Sequence, residues 1–354
     1  FNLHSPEKTA AILYDKLGLP CPKKTKEGKR SVGKDVLEEL SDVYPHPVIG
    51  SLLEYRELDK LASTFINVLP KFADEKERIR PEFKQLGAKT GRFSCSDPNV
   101  QQIPSRSELG KRLRQSFIAD EGNVLVVADY SQMELRVLAH YSRDPLLVEA
   151  YTSEHETDLH ALTASRMFGK AIDAIEKNER TVAKMINFGI AYGITPIGLF
   201  NRLRPAGLNV TEAECEEFVR NYFKTYPGVR KFLDKAERVA RERHYVRSFF
   251  GRRRRLKGSE RGLSSREIRQ AQNFIIQATA ADLAKDAMVR LYQALPEGAD
   301  LIATIHDEFI VECRREQAED VRDLMTEVMQ QTPEGFTVPM KVEAKIGLTW
   351  GECK

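Results

Sequence analysis

The run Val124-Leu125-Val126-Val127-Ala128 stops at Asp129, and no other feature restricts the fold of this chain as much. Five apolar residues without a polar interruption read as a buried strand. Far downstream, Leu301-Ile302-Ala303-Thr304-Ile305 and Phe309-Ile310-Val311-Glu312-Cys313 are two β-rich runs around His306-Asp307-Glu308, the pattern of a hairpin. If these strands lie side by side, Asp129 at a strand end and Asp307 at the hairpin tip project into one place. Two carboxylates so close repel each other and call for a divalent cation. Hard oxygen ligands without nearby His or Cys pairs favour Mg²⁺ over zinc. Taken singly, each aspartate also fits a turn or cap.

Composition sets the outer limits. With 354 residues, 41% hydrophobic and 30% charged, the chain has enough apolar material for two or three cores. No window approaches the roughly 18 apolar residues of a membrane span, and the start at Phe1 lacks the pattern of a signal peptide. Five scattered cysteines with no C-x-x-C pair argue against a disulfide framework or thiolate zinc site. The expected setting is therefore reducing: the cytoplasm for a bacterial or phage chain, with an organelle possible for other sources. A net charge of +3 says little, but its distribution says more. Lys23, Lys24, Lys26, Lys29, Arg30 and Lys34 crowd one stretch, and Arg252, Arg253, Arg254, Arg255 and Lys257 another. Either cluster alone also reads as a solvated loop.

Periodicity divides the rest. Residues 1–68 read as helices (Pro6 to Leu17, Gly33 to Leu40, Val48 to Val68) interrupted by the first basic stretch. From 79 to 130 the pattern is short and extended, with turn signals at Thr90-Gly91-Arg92 and Asp97-Pro98-Asn99. Residues 131–245 are mainly helical, including Asn178 to Gly189 and Ala213 to Tyr226. A long helix follows from Ser264 to Leu295, with Ser264 or Ser265 as N-cap. A helix over Arg315 to Gln330 and a strand over Met340 to Ile346 close the chain.

Two ladders at intervals of four carry chemistry. Arg180, Lys184, Phe188 and Tyr192 line one helix face, cations first and aromatics after. That order suits a ligand with phosphates at one end and a flat base at the other. The same spacing also suits an amphipathic helix with snorkelling cations above a core stripe. Gly189 and Gly193, costly in a helix, suggest a close approach of backbone to a ligand. Arg269, Asn273 and Gln277 form the second ladder, able to read base edges or sugars, or simply to face solvent.

These residues together resemble the motifs of family A, the DNA polymerase I-like DNA polymerases. Asp129-Tyr130-Ser131-Gln132-Met133-Glu134-Leu135-Arg136 resembles the first catalytic motif. Arg180-x-x-x-Lys184-x-x-x-Phe188-Gly189-x-x-Tyr192-Gly193 resembles the second, and His306-Asp307-Glu308 the third. Thr90-Gly91-Arg92 with Asp97-Pro98-Asn99-x-Gln101-x-Ile103-Pro104 is similar to the primer-template segment. The motifs fall in the family's order, and the similarity runs from Phe1 to Trp350.

The resemblance implies an α+β right hand: a partial helical thumb (1–68), a palm with an antiparallel sheet (69–139 and 263–354) and helical fingers (140–262). It implies a template-directed DNA polymerase working with two Mg²⁺ ions, Mn²⁺ being able to substitute, on primer-template DNA and dNTPs, as a monomer. Asp129 and Asp307 would hold the metals with the Tyr130 carbonyl, and Glu308 would support them. Arg180, Lys184 and His160 would grip the triphosphate; His160 alone also reads as a structural histidine. Phe188 would pack on the nucleotide, with Gln132 and Tyr192 beside it. Glu134, otherwise an ordinary helix-start acid, would occupy the space of a ribose 2′-hydroxyl. Arg92, Asn99, Gln101, Arg269, Asn273, Gln277, His306, Lys23 and Lys24 would touch DNA. Met133, Gln102 and Ala278 depart from the family's commonest residues without removing a metal ligand. No exonuclease is expected in these residues. The rival readings are reverse transcription on the same fold, and a non-catalytic DNA-binding subunit, which would be expected to lose metal or phosphate ligands that are present here.

Overall fold

The computed structural model of the protein describes residues 2–25, 27–105, 107–153 and 157–353, without the Pro205 side chain. Phe1 and Lys26, named above, lie outside the described residues. The chain divides into two compact units, Phe1–Ile79 with Pro196–Glu216, and Arg80–Thr195 with Glu217–Lys354.

The first unit is helical. It contains α1 (Pro6–Ala10), which runs on as π-helix to Lys16, then α2 (Lys34–Val43), α3 (Pro47–Leu61) and α9 (Pro196–Leu203). The starts are written in the sequence. Ser5 Oγ accepts from Lys8 N–H ahead of Pro6, and His46 Nδ1 accepts from Val48 N–H ahead of Pro47. Leu13, Val36, Leu37, Leu40, Ile49 and Leu52 close a small core. The basic stretch folds back onto acids of the same unit. Lys23 pairs with Asp35 at 2.8 Å, Lys29 with Glu7 at 2.7 Å, and Arg30 with Asp15. Much of the charge that marked the stretch is thus answered locally.

The second unit is built on a four-stranded antiparallel sheet in the order β6-β7-β3-β8. Before it come a small hairpin, β1 (Glu82–Lys84) with β2 (Ser94–Ser96), and a helix, α4 (Glu108–Arg114). The sheet strands are β3 (Asn123–Tyr130), β6 (Ala299–Ile305), β7 (Glu308–Arg314) and β8 (Val342–Gly347). Val124 through Ala128 are all buried, as a central strand requires. Helices α5 (Met133–Ser142), α6 (Pro145–Thr152), α7 (Leu159–Phe168) and α8 (Lys177–Ala191) follow β3. Next come α10 (Glu212–Thr225), which crosses the boundary between the two segments, and α11 (Pro227–Arg243). The hairpin β4 (Tyr245–Arg247) with β5 (Arg253–Arg255) leads into α12 (Ser265–Ala294), and α13 (Ala318–Gln330) packs on β3 and β8.

Two expectations are corrected. The stretch 79–130, read as extended, contains the helix α4, capped by Ser107 Oγ on Gly110 N–H. At seven residues it is too short to show a periodic apolar face. The second arginine run is not a loop: Arg253–Arg255 form β5, with Arg254 donating to Gln270 on α12.

Ser264, not Ser265, caps α12, in a reciprocal capping box with Glu267. Ser264→Ala is expected to cost about 1 kcal/mol and Ser265→Ala a few tenths at most, read from chemical denaturation midpoints.

Candidate active site

The register of the sheet brings the two aspartates to one edge. Across β3 and β7, Asp129 stands opposite Glu308, and Tyr130 N–H donates to the Asp307 carbonyl at 3.2 Å. Both approaches to this edge pass through left-handed backbone at non-glycine residues, Gln132 (φ 53°) and His306 (φ 59°). Such positions cost roughly 1–3 kcal/mol and are kept where the surroundings hold them. Burial raises the Asp307 carboxyl above the usual carboxylate range; Asp129 adds to the rise, while Arg92 and His306 oppose it.

Arg92 is the nearest of those cations. Its Nη2 donates to Glu134 Oε1 at 2.6 Å and lies 3.7 Å from Asp307 Oδ1. Glu134, at the first turn of α5, is only 4% exposed. Burial pushes its carboxyl up, and Arg92 and the Tyr192 phenol draw it back down. The sequence places Arg92, Glu134, Tyr192 and Asp307 far apart; the fold makes them one cluster.

Glu308 turns away from solvent. At 2% exposed, its Oε1 accepts from Trp350 Nε1 at 2.7 Å and lies 4.0 Å from Arg114 Nη1. The Arg114 guanidinium stacks on Trp350 at 3.8 Å and donates to the carbonyls of Ile103 and Pro104. Glu308 therefore helps to anchor the hairpin rather than opening into the cleft. Arg114 and Trp350 escaped the sequence reading. Their only signal is an arginine and a tryptophan in otherwise unremarkable surroundings.

Helix α8 presents its ladder as expected in spacing. Arg180, Lys184 and Tyr192 are exposed and Phe188 is half-buried, while Val182, Ala183, Ile186 and Ile190 form the core stripe. The aromatics thus sit on the open side rather than in the core. Arg180 Nε donates to Asp158 at 2.7 Å, and Asp158 also caps α7 by accepting from the backbone N–H of His160 and Ala161. His160 is 5% exposed, with its ring 5.6 Å from Phe188. The two glycines do not make room for a ligand. A Cβ on Gly189 would meet Ile194 at 2.7 Å, and one on Gly193 (φ 69°) would meet the Arg269 side chain at 3.1 Å. They allow the end of α8 to close against its own next residues and against α12.

The remaining residues fall into three groups. Arg269, Asn273 and Gln277 are half-buried on one face of α12, and Asn273 Oδ1 and Asn99 Oδ1 are sealed acceptors without a hydrogen-bond partner. Gln101 donates to the Thr304 carbonyl at 3.0 Å and, with Arg92, His306 and Asp307, lines a small cleft. Gln132 Oε1 accepts from Tyr151 at 2.9 Å. Lys23 and Lys24 belong to the other unit. Among the described residues no group of three or more His, Cys, Asp or Glu side chains is arranged as a metal cage.

The model for DNA polymerase family A matches residues 1–352. Similar proteins include the thermostable DNA polymerase I of Thermus aquaticus, 43% identical over 100% of this chain and 42% of that protein. The DNA polymerase I of Chloroflexus aurantiacus is 40% identical over 99% of this chain and 38% of its own length. A solved structure, the POL domain of Pol1 from M. smegmatis in complex with DNA primer-template and dNTP, matches with a TM-score of 0.91 at 34% identity, over 100% of this chain and 62% of that one. The chain spans about two fifths of the length of the curated relatives it matches.

The Arg92–Glu134 pair makes a prediction of its own. Arg92→Met leaves Glu134 buried without its cation and is expected to cost about 2 kcal/mol at pH 7. A carboxyl with a raised folded-state pKa destabilises the fold as pH rises through that value. The deficit should therefore shrink on acidification toward the unfolded value of 4.5. Adding Glu134→Gln should recover most of it. Urea denaturation across pH reads both, and a deficit independent of pH would contradict the pairing.

Proposed function

The chain belongs to DNA polymerase family A, and from that premise we propose that it is a template-directed DNA polymerase that adds dNTPs to a primer 3′-hydroxyl and releases pyrophosphate. The observation that carries the reading is the meeting of Asp129 and Asp307 at one sheet edge, in the same unit as the exposed cations of α8.

Two divalent ions, Mg²⁺ with Mn²⁺ as a substitute, suit this edge. Two hard carboxylates that repel each other, with the Tyr130 carbonyl beside them, leave most coordination positions to phosphate and water, as Mg²⁺ prefers. Asp129, Asp307 and the Tyr130 carbonyl would hold them. Ions bound there lower the pKa of a sugar hydroxyl and offset charge on a leaving pyrophosphate.

The chain's own residues bind and orient. Lys184 and the outer edge of the Arg180 guanidinium grip the triphosphate, Arg180 being held at its inner edge by Asp158. Phe188 offers its half-buried ring to the base or sugar of the nucleotide, with Tyr192 and Gln132 framing the pocket. Glu134, fixed by Arg92, fills the space of a 2′-hydroxyl and so selects deoxynucleotides. Arg92, Asn99, Gln101, Arg269, Asn273, Gln277 and His306 meet the primer-template. Lys23 and Lys24 add phosphate contacts from the first unit. Glu308 supports the hairpin from below.

We assign residues 69–139 and 263–354 to the palm, 140–262 to the fingers and 1–68 to the thumb, and read the chain as a monomer without an exonuclease site of its own. No described helix is long and apolar enough to cross a membrane; action at the nucleoid follows from the substrate.

Asp129→Ala is expected to lower Mg²⁺-dependent primer extension by at least about 100-fold while the fold persists by circular dichroism; retained extension sinks the site assignment. Glu134→Ala should raise incorporation of ribonucleotides relative to deoxynucleotides by about 100-fold, measured by single-nucleotide insertion. An unchanged ratio removes Glu134 from sugar selection.

A further inference from the structure

Asn187 is fully buried on the apolar side of α8, where a polar side chain needs a reason. Its Nδ2 lies 3.0 Å from His160 Nδ1 and 3.0 Å from Thr163 Oγ1. The Thr163 hydroxyl has one proton and two acceptors compete for it, the Leu159 carbonyl at 2.7 Å and Asn187 Oδ1 at 3.3 Å; the much shorter contact takes it. Thr163 Oγ1 must then accept from its other two neighbours, Tyr226 OH at 2.8 Å and Asn187. Only the NH₂ side of the Asn187 amide can satisfy this, so the same NH₂ also faces His160 Nδ1. A donor facing Nδ1 requires a lone pair there, which leaves the ring proton on Nε2.

We propose that Asn187 is a positioning residue that holds His160 as the neutral Nε2–H tautomer, presenting one hydrogen-bond donor to the triphosphate of the incoming nucleotide. The inference rests on the reading of His160 as a triphosphate contact. Three further observations agree with it. Among the described residues nothing accepts from Nε2, and Nε2 is not among the sealed atoms without a partner, so it is the ring edge that reaches the surface. The charged groups facing the ring are Asp158 at the cap of α7 and Arg180 and Lys184 on α8. Burial, with the two cations, outweighs Asp158 and brings the imidazole down to about 4, so the ring is neutral at physiological pH. The positive charge at the phosphates then comes from Arg180 and Lys184 alone, and His160 adds direction without charge.

The test uses the full chain labelled with ¹⁵N-histidine, the His160 signals being assigned by their loss in His160→Gln. Long-range ¹H–¹⁵N spectra at pH 7 should show the Nε2–H tautomer; an Nδ1–H tautomer or an imidazolium overturns the proposal without any variant at position 187. Addition of dTTP should move the Nε2 signal. A signal that stays put overturns the triphosphate reading of His160, and with it the functional half of the proposal, whatever the tautomer. Asn187→Asp, nearly isosteric, presents an acceptor to Nδ1 and should switch the neutral ring to Nδ1–H, turning a lone pair toward the phosphates. The new carboxylate also raises the imidazole pKa, so the variant's ring is an imidazolium that still offers Nε2–H at the acid end and the Nδ1–H form at the alkaline end. Its KM for dTTP should then rise about tenfold more than that of the wild type between about pH 6 and about pH 9, with kcat changing less. A KM that tracks the wild type across pH, in a variant with native Tm, overturns the positioning role. If the aspartate variant does not fold, Asn187→Leu, which faces Nδ1 with neither donor nor acceptor, should let the Nδ1–H tautomer appear in the same spectra; a ring that stays wholly Nε2–H in it overturns the positioning role.

Discussion

The constraint on which the structure turns is the strand pairing that brings Asp129 and Asp307, whose charges disfavour each other, to one end of the sheet. What holds them is register. Asp129 pairs with Glu308 because Val124 through Ala128 pair with Phe309 through Cys313, and a slip by one residue would turn the whole buried set of β3 over. The apolar strand therefore fixes where the two carboxylates stand, and Arg92, 3.7 Å from Asp307, answers part of their charge. Support comes from outside the pair: Trp350 and Arg114 clamp Glu308 beside the hairpin turn, and left-handed residues at Gln132 and His306 turn the chain sharply at both approaches.

Around this edge, burial sorts the cations into two kinds. Arg92 and Arg114 are committed to carboxylates and carbonyls within the fold, where removing a partner would leave a charge stranded. Arg180 and Lys184 stand on the exposed face of α8, and even the Arg180 contact with Asp158 leaves the guanidinium about half open. The first kind shapes the cleft, and the second is free to meet an anionic ligand. Net charge, at +3, reports neither.

The sequence made legible whatever depends on long apolar runs or strict periodicity. The strand ending in Asp129, the hairpin around Asp307, the ladder on α8 and the capped start of α12 could all be read before any coordinate. Short elements could not: α4 has too few residues to show a face, and β5 carries three consecutive arginines that mimic a solvated loop. Partners distant in sequence were equally hidden. Nothing local says that Lys23 will meet Asp35, that residues 196–216 will join the first helical unit, or that Asn187 will sit between His160 and Thr163. Such pairings are decided by tertiary packing, which periodicity does not encode.

The glycines of α8 show how a correct signal can point to the wrong cause. Gly189 and Gly193 do mark a close approach, but the neighbours are Ile194 and Arg269 rather than a ligand. At Gly193 two demands coincide, a left-handed φ and a tight gap in which a Cβ would lie 3.1 Å from the Arg269 side chain. The end of the helix that carries Phe188 and Tyr192 is thereby seated against the start of the Arg269, Asn273 and Gln277 ladder. A side chain at 193 would press on Arg269 at 3.1 Å and ask it to give way, so the packing of this helix end bears on the position of the first residue of the second ladder.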